Sequence, residues 1–110
     1  MLTESLFVKI RIFVPVLAAG AVREAMGKAG AGVMGNYDFC SASSPVIGRF
    51  RPLPGANPAV GEEGKLEEVP EEAIETICHK DKVEEVILAI KKVHPYEEPA
   101  IDIMPRLEIN

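Results

Sequence analysis

The residues best suited to chemistry stand together at positions 94–99: His94, Pro95, Tyr96, Glu97, Glu98 and Pro99. An imidazole, a phenol and two carboxylates lie between two prolines. Each proline fixes its own φ and restricts the residue before it, so the segment reads as a stiffened loop. Imidazole nitrogen with carboxylate oxygen is a donor set that suits zinc, copper or manganese. Neighbours in an extended segment point to opposite sides. One of the two glutamates therefore joins His94, and the metal pair expected here is His94 with Glu98. A plainer role competes with ligation. His94 ends a helix, where an imidazolium complements the helix dipole, and Tyr96 then buries its ring and hydrogen-bonds a neighbouring subunit. Catalysis is the weakest reading, because a histidine beside carboxylates is common without a function.

A second cluster, Gly35, Asn36, Tyr37 and Asp38, stands just ahead of Cys40 and Ser41. Asn36 and Asp38 offer polar atoms to a ligand. Glycine and asparagine also tolerate positive φ, so the same residues read as a turn. The ligand-contacting residues expected are thus Asn36, Tyr37, Asp38, His94, Tyr96, Glu97 and Glu98. His79 reads as a solvated end of a strand. Arg49 and Arg51 flank Phe50 and can grip an anion. Nothing resembles a nucleophile elbow, a phosphate loop or a zinc-protease helix, and no catalytic residue is assigned.

These residues need elements to hold them. Leu6 to Val14 alternates, with Val8, Ile10, Ile12 and Val14 on one face and Phe7, Lys9, Arg11 and Phe13 on the other, which predicts a strand ended by Pro15. Val22, Ala25, Met26 and Ala29 form the stripe of a helix from about Leu17 to Ala29, and Gly30 and Gly32 supply the left-handed residues that end it. Residues 33–64 are rich in glycine and proline, with a bent or bulged strand over Tyr37 to Ala42 and Val46 to Phe50, and a turn at Gly55-Ala56-Asn57-Pro58. A short strand over Lys65 to Val69 and another over Glu72 to His79 follow. Asp81 and Glu84 form a capping box for a helix with Val83, Val86, Ile87, Ile90 and Val93 on its apolar face. That helix stops at His94 before Pro95. Ala100 to Met104 is a closing strand. The order β-α-β-β-α-β is the ferredoxin-like α+β arrangement, an antiparallel sheet with both helices on one face. Phe7 and Phe13 on the other face favour an oligomer.

The 110 residues suffice for a single domain over residues 1–110, and the composition, 47 % hydrophobic and 26 % charged, is that of a globular chain. A net charge of −5 and 5 % aromatic content exclude a basic, aromatic nucleic-acid surface. No apolar run approaches the roughly 20 residues that span a bilayer. The N-terminus lacks the basic region of a secretory signal. A cytoplasmic protein with no nucleic-acid or membrane partner is expected. Cys40 and Cys78 match no zinc spacing and read as reduced, buried small apolar residues.

One resemblance covers about residues 7 to 103. Its segments, in order, are Phe13-Val14-Pro15, Val22-Arg23-Glu24-Ala25, Ala29-Gly30-Ala31-Gly32, Gly35-Asn36-Tyr37-Asp38 with Cys40-Ser41, then Phe50-Arg51-Pro52-Leu53-Pro54-Gly55-Ala56-Asn57-Pro58, Val60-Gly61, Gly64, Glu68-Val69, Ile74-Glu75 and finally His94 to Ala100. Together they resemble the YqfO-type domain of the NGG-one-interacting-factor-three family, here in a stand-alone form. In many members this domain is inserted into a larger two-metal catalytic domain. The metal-binding residues of that larger domain have no counterpart in these 110 residues. Its dinuclear chemistry is therefore not carried over, and the reading leans away from an enzyme.

The His94-Pro95-Tyr96-Glu97-x-Pro99 pattern also resembles CutA-like proteins, which share their fold with PII-like proteins. That resemblance implies a homotrimer with ligand clefts between subunits. It also implies divalent-cation tolerance or small-metabolite sensing, and a partner-contacting loop at residues 43–64. The function expected is a non-enzymatic binding or regulatory module that takes a divalent metal ion or a small metabolite at an intersubunit cleft beside residues 94–99. Two alternatives stay open. One is an interaction module that docks another protein without a ligand. The other is an enzyme whose site is assembled across subunits.

Overall fold

In the computed structural model, which describes residues 1–110, the chain forms β1 (Leu2–Glu4), β2 (Phe7–Pro15), α1 (Val16–Lys28), β3 (Ala42–Phe50), β4 (Glu67–His79), a 3-10 turn (Lys80–Lys82), α2 (Val83–Val93), β5 (Ala100–Met104) and β6 (Leu107–Ile109). Strands β2 to β5 make an antiparallel sheet in the order β3-β4-β2-β5. This is the expected ferredoxin-like α+β arrangement.

The alternation in β2 decides which face is covered. Val8, Ile10, Ile12 and Val14 are buried, together with Ala19, Val22 and Met26 of α1 and Val86 and Ile90 of α2, in one core. Both helices therefore lie on one face of the sheet. Fully burying an isoleucine or valine contributes about 1.5–3 kcal/mol, and a one-residue slip of β2 would turn that whole set to the other face. Gly30 and Gly32 follow α1 with φ of +108° and +79°, as its termination requires.

The face without helices carries the site. Phe13 pairs with Ala73 of β4 and Ala100 of β5. Pro15 pairs with Glu71, and Glu71 with Val46 of β3. Because alternate strand residues share a face, Phe13, Glu71, Ala100, Val46, Gly48 and Phe50 all belong to this uncovered side.

Several expectations are corrected. β3 is one unbroken strand from Ala42, paired residue for residue with β4, so no bulge occurs and Tyr37 to Ser41 lie outside it. The strands expected at 65–69 and 72–79 are one thirteen-residue strand through Pro70. Pro70 lies just beyond the last pair with β2 and has a partner only in β3, where a strand tolerates proline. The turn expected at residues 55–58 lies two residues earlier. Ala56 N–H bonds Leu53 O at 3.0 Å, with Pro54 and Gly55 (φ +94°) at its centre, the proline–glycine pair a type II turn prefers.

The Asp81–Glu84 capping box is not formed. His79 Nδ1 accepts the Asp81 N–H at 3.1 Å and so caps the 3-10 turn, and Lys82 precedes α2 without a side-chain bond. The extra turn carries Asp81 past the capping position, and its side chain stands in solvent. Both chain ends also form an unexpected pair, β1 with β6, registered Leu2 to Ile109. Both cysteines are free. Cys78 is fully buried and burial pushes its thiol pKa up, whereas Cys40 is only half-buried. No helix is long and apolar enough to cross a membrane.

Candidate functional site

Helix α2 delivers His94 to the site. Its N–H still bonds Ile90 O at 2.9 Å, and Pro95 prevents a further turn. The ring is 7 % exposed. Nε2 lies 2.8 Å from Phe13 O, and Nδ1 accepts the Tyr96 N–H at 3.1 Å. These two roles belong to the neutral ring, with Nε2–H donating and Nδ1 accepting. His94 thus clamps the end of α2, the end of β2 and the following loop together. The expected imidazolium at the helix end would lose the Tyr96 bond. A metal at the expected pair, His94 with Glu98, would have to displace one of these bonds. Both ring nitrogens are engaged, and no three His, Cys, Asp or Glu side chains gather into a ligating cluster.

Tyr96 turns back over the uncovered sheet face. Its hydroxyl donates to Glu71 Oε2 at 2.6 Å within the same chain. Its ring meets Phe50 edge-on, with centroids 5.7 Å apart. Burial above all, then the hydrogen bond to Glu71 and the negative charge there, push the Tyr96 phenol well above its ordinary pKa. Glu71 is itself buried. Its carboxylate lies over Gly48 of β3, where a Cβ would overlap Oε1. The glycine permits that close approach and is not there for its φ; a Cβ would push the carboxylate aside.

A cleft of about 610 Å³ opens above this floor, a size that suits a metabolite or cofactor. Phe13, Val46 and Phe50 line its sheet side, and Pro52, Leu53 and Val60 its loop side. Glu97 and Glu98, expected to point apart, both border it. The glycine- and proline-rich segment is folded back as a wall. Gly64 N–H bonds Pro52 O at 2.7 Å, and Asn57 N–H bonds Glu97 Oε1 at 3.0 Å. Arg49 is committed to Glu68 at 3.1 Å, so the anion grip expected of Arg49 and Arg51 loses one member.

The structure brings His94, Tyr96, Glu97 and Glu98 together and leaves Asn36, Tyr37 and Asp38 apart. Asn36 lies inside, Tyr37 closes and Asp38 follows a two-residue turn, where Met34 bridges Tyr37 through bonds of 2.8 and 3.0 Å. That turn precedes the Ala42 end of β3, opposite the Phe50 end that touches Tyr96. Sequence reasoning missed Glu71, Phe13, Asn57 and Val60. One signal was available: Gly48 inside a strand marks a close approach by another group.

No family profile matches the chain. A protein from Halalkalibacterium halodurans named GTP cyclohydrolase 1 type 2 homolog is 48 % identical over 94 % of this chain and 27 % of its own length. One of the same name from Bacillus subtilis is 48 % identical over 88 % and 26 %. The crystal structure of a Bacillus cereus protein related to NIF3 superposes with a TM-score of 0.80 at 42 % identity, over 96 % of this chain and 26 % of that one. The chain is homologous to one segment of the NIF3-related proteins. It spans about a quarter of the length of these relatives. The YqfO-type resemblance of its motifs is borne out. CutA1 from Pyrococcus horikoshii, at 22 % identity and a TM-score of 0.67 over 94 % of this chain and 86 % of that one, shares its fold. In this NIF3-related segment, the His94-to-Pro99 motif is thus a joint between helix and strand that also borders the cleft.

Proposed function

We propose that the chain is a binding module of regulatory type that takes a small organic molecule in the cleft between residues 94–99 and residues 51–64. The observation that carries this reading is the bond from Asn57 N–H to Glu97 Oε1 at 3.0 Å. It ties two segments 40 residues apart into facing walls of one space, with a polar floor at Tyr96 and Glu71. A resident metal is less well supported, because both nitrogens of His94 are taken by backbone groups. Assembly of copies of the chain, a homotrimer by its resemblance to CutA-like proteins, is part of the same proposal. The support is a sheet face that no helix covers, with Phe13 half-buried on it.

Calorimetry and native mass spectrometry against a panel of metabolites test this reading. The relatives' name puts GTP in the panel. A structural neighbour from Archaeoglobus fulgidus, named a divalent cation tolerance protein, adds divalent metals. An organic ligand should bind, and Val60→Trp, which fills the cleft, should abolish binding without unfolding the chain. No ligand across the panel would favour a docking module, and turnover of a panel member would favour a composite enzyme. A species of three times 11.9 kDa is the mass expected of the trimer.

A further inference from the structure

Glu71 is 4 % exposed, yet its carboxylate borders the cleft. Oε2 accepts the Tyr96 hydroxyl, a neutral donor, and Oε1 has no hydrogen-bond donor in the chain. No lysine or arginine of the chain forms an ion pair with Glu71. Buried carboxylates are normally paired, because removing an unpaired charge from water is costly. Here the carboxylate with the unpaired oxygen borders a space large enough for a ligand.

The other charges around the cleft do not remove the imbalance. Arg49 is neutralised by Glu68. That leaves Arg51 against Glu71, Glu97 and Glu98 among the bordering groups. The remaining walls are apolar and aromatic, with Phe13, Phe50 and Val60 beside the Tyr96 ring. Aromatic faces attract organic cations, and a charge-assisted bond to a desolvated carboxylate is among the stronger polar contacts available to a ligand.

We propose that the cleft takes a small organic cation: an amine on an apolar body, its N–H groups bonded to Glu71 Oε1 and its body lying among Phe13, Phe50 and Val60. This inference rests on the small-molecule reading of the cleft and specifies the ligand's chemistry.

Three probes of one shape test it on the full 110-residue chain: 2-phenylethylamine, the neutral 2-phenylethanol and the anionic phenylacetate. The amine should bind about tenfold or more tightly than the alcohol, by the difference between a charged and a neutral hydrogen bond, and phenylacetate should bind weakest. Glu71→Gln keeps an oxygen for the Tyr96 hydroxyl and should bring the amine down to the affinity of the alcohol. Gly48→Ala, whose Cβ displaces the Glu71 carboxylate, should do the same and serves if the glutamine variant does not fold. Equal affinity for amine and alcohol, or a preference that survives in a folded Glu71 or Gly48 variant, overturns the cation assignment and leaves the cleft reading standing. So does binding of non-cationic metabolites alone. Silence from the probes and from the whole metabolite panel overturns both.

Discussion

The hydroxyl of Tyr96 donates to Glu71 Oε2 at 2.6 Å and is the sole hydrogen-bond donor the chain offers that buried carboxylate. Tyr96→Phe keeps the ring against Phe50 and removes only this donor. A buried acceptor left unpaired costs about 1–3 kcal/mol, so the variant should lose that much in a denaturant titration. An unchanged midpoint and slope would mean that the bond contributes nothing.

The same pair sets a pH dependence. The folded Tyr96 phenol titrates above its unfolded value of about 10. A group whose folded pKa is raised contributes stability that is fully present below the unfolded pKa and is lost as pH climbs through the folded value. The native chain should therefore lose stability above about pH 10, and Tyr96→Phe should lose less over that window. In Tyr37→Phe, which leaves Tyr96 as the one tyrosine, the phenolate absorbance should rise with a midpoint above about 10. A midpoint at the ordinary value would contradict the burial and the bond.

How much of this was legible depends on the range of the forces involved. The strand at Val8 to Val14 and the helix at Val83 to Val93 follow from local periodicity, because one face of each meets the core. The importance of residues 94–99 was legible from composition. Its partner Glu71 was not, since the face on which Glu71 lies depends on pairing with Pro15 and Val46, and no local pattern sets that register. The pairing of Leu2 with Ile109 joins the two ends of the chain and left no local trace either. Asn36 to Asp38 looked like a ligand site because their polarity is visible in sequence. Their distance from Tyr96 along β3 is not.

Capping before α2 separates two histories for the same sequence. His79 Nδ1 accepts the Asp81 N–H at 3.1 Å, and the Asp81 side chain stands in solvent. His79→Ala should cost about 0.5–2 kcal/mol, the usual loss for a removed cap. Asp81→Ala should stay within about 0.5 kcal/mol, as a surface change does. The reverse order in thermal unfolding would restore Asp81 as the cap.

His94 is predicted to act as a structural clamp. Its Nε2 and Nδ1 engage Phe13 O and Tyr96 N–H, so stoichiometric zinc should leave its ring resonances in place. His94→Ala removes two part-buried hydrogen bonds and opens a gap, which should cost about 2–4 kcal/mol. Zinc-dependent shifts of the His94 ring in the folded chain would reinstate it as a ligand.

The wall of the cleft is held by a bond that burial does not reinforce. Glu97 is exposed, and its Oε1 accepts the Asn57 N–H at 3.0 Å across 40 residues of chain. An exposed bond of this kind adds little to global stability, so Glu97→Ala should shift the unfolding free energy by less than about 0.5 kcal/mol. Local opening is a separate quantity from global unfolding. With its acceptor gone, the Asn57 amide should exchange with solvent several-fold faster, while amides of β2 and β4 keep their protection. Ligand affinity should fall with it, because a looser wall must be ordered at the moment of binding. Unchanged exchange at Asn57 would show that the bonds from Gly64 to Pro52 and from Ala56 to Leu53 suffice to hold the wall, and that Glu97 is free to meet a ligand.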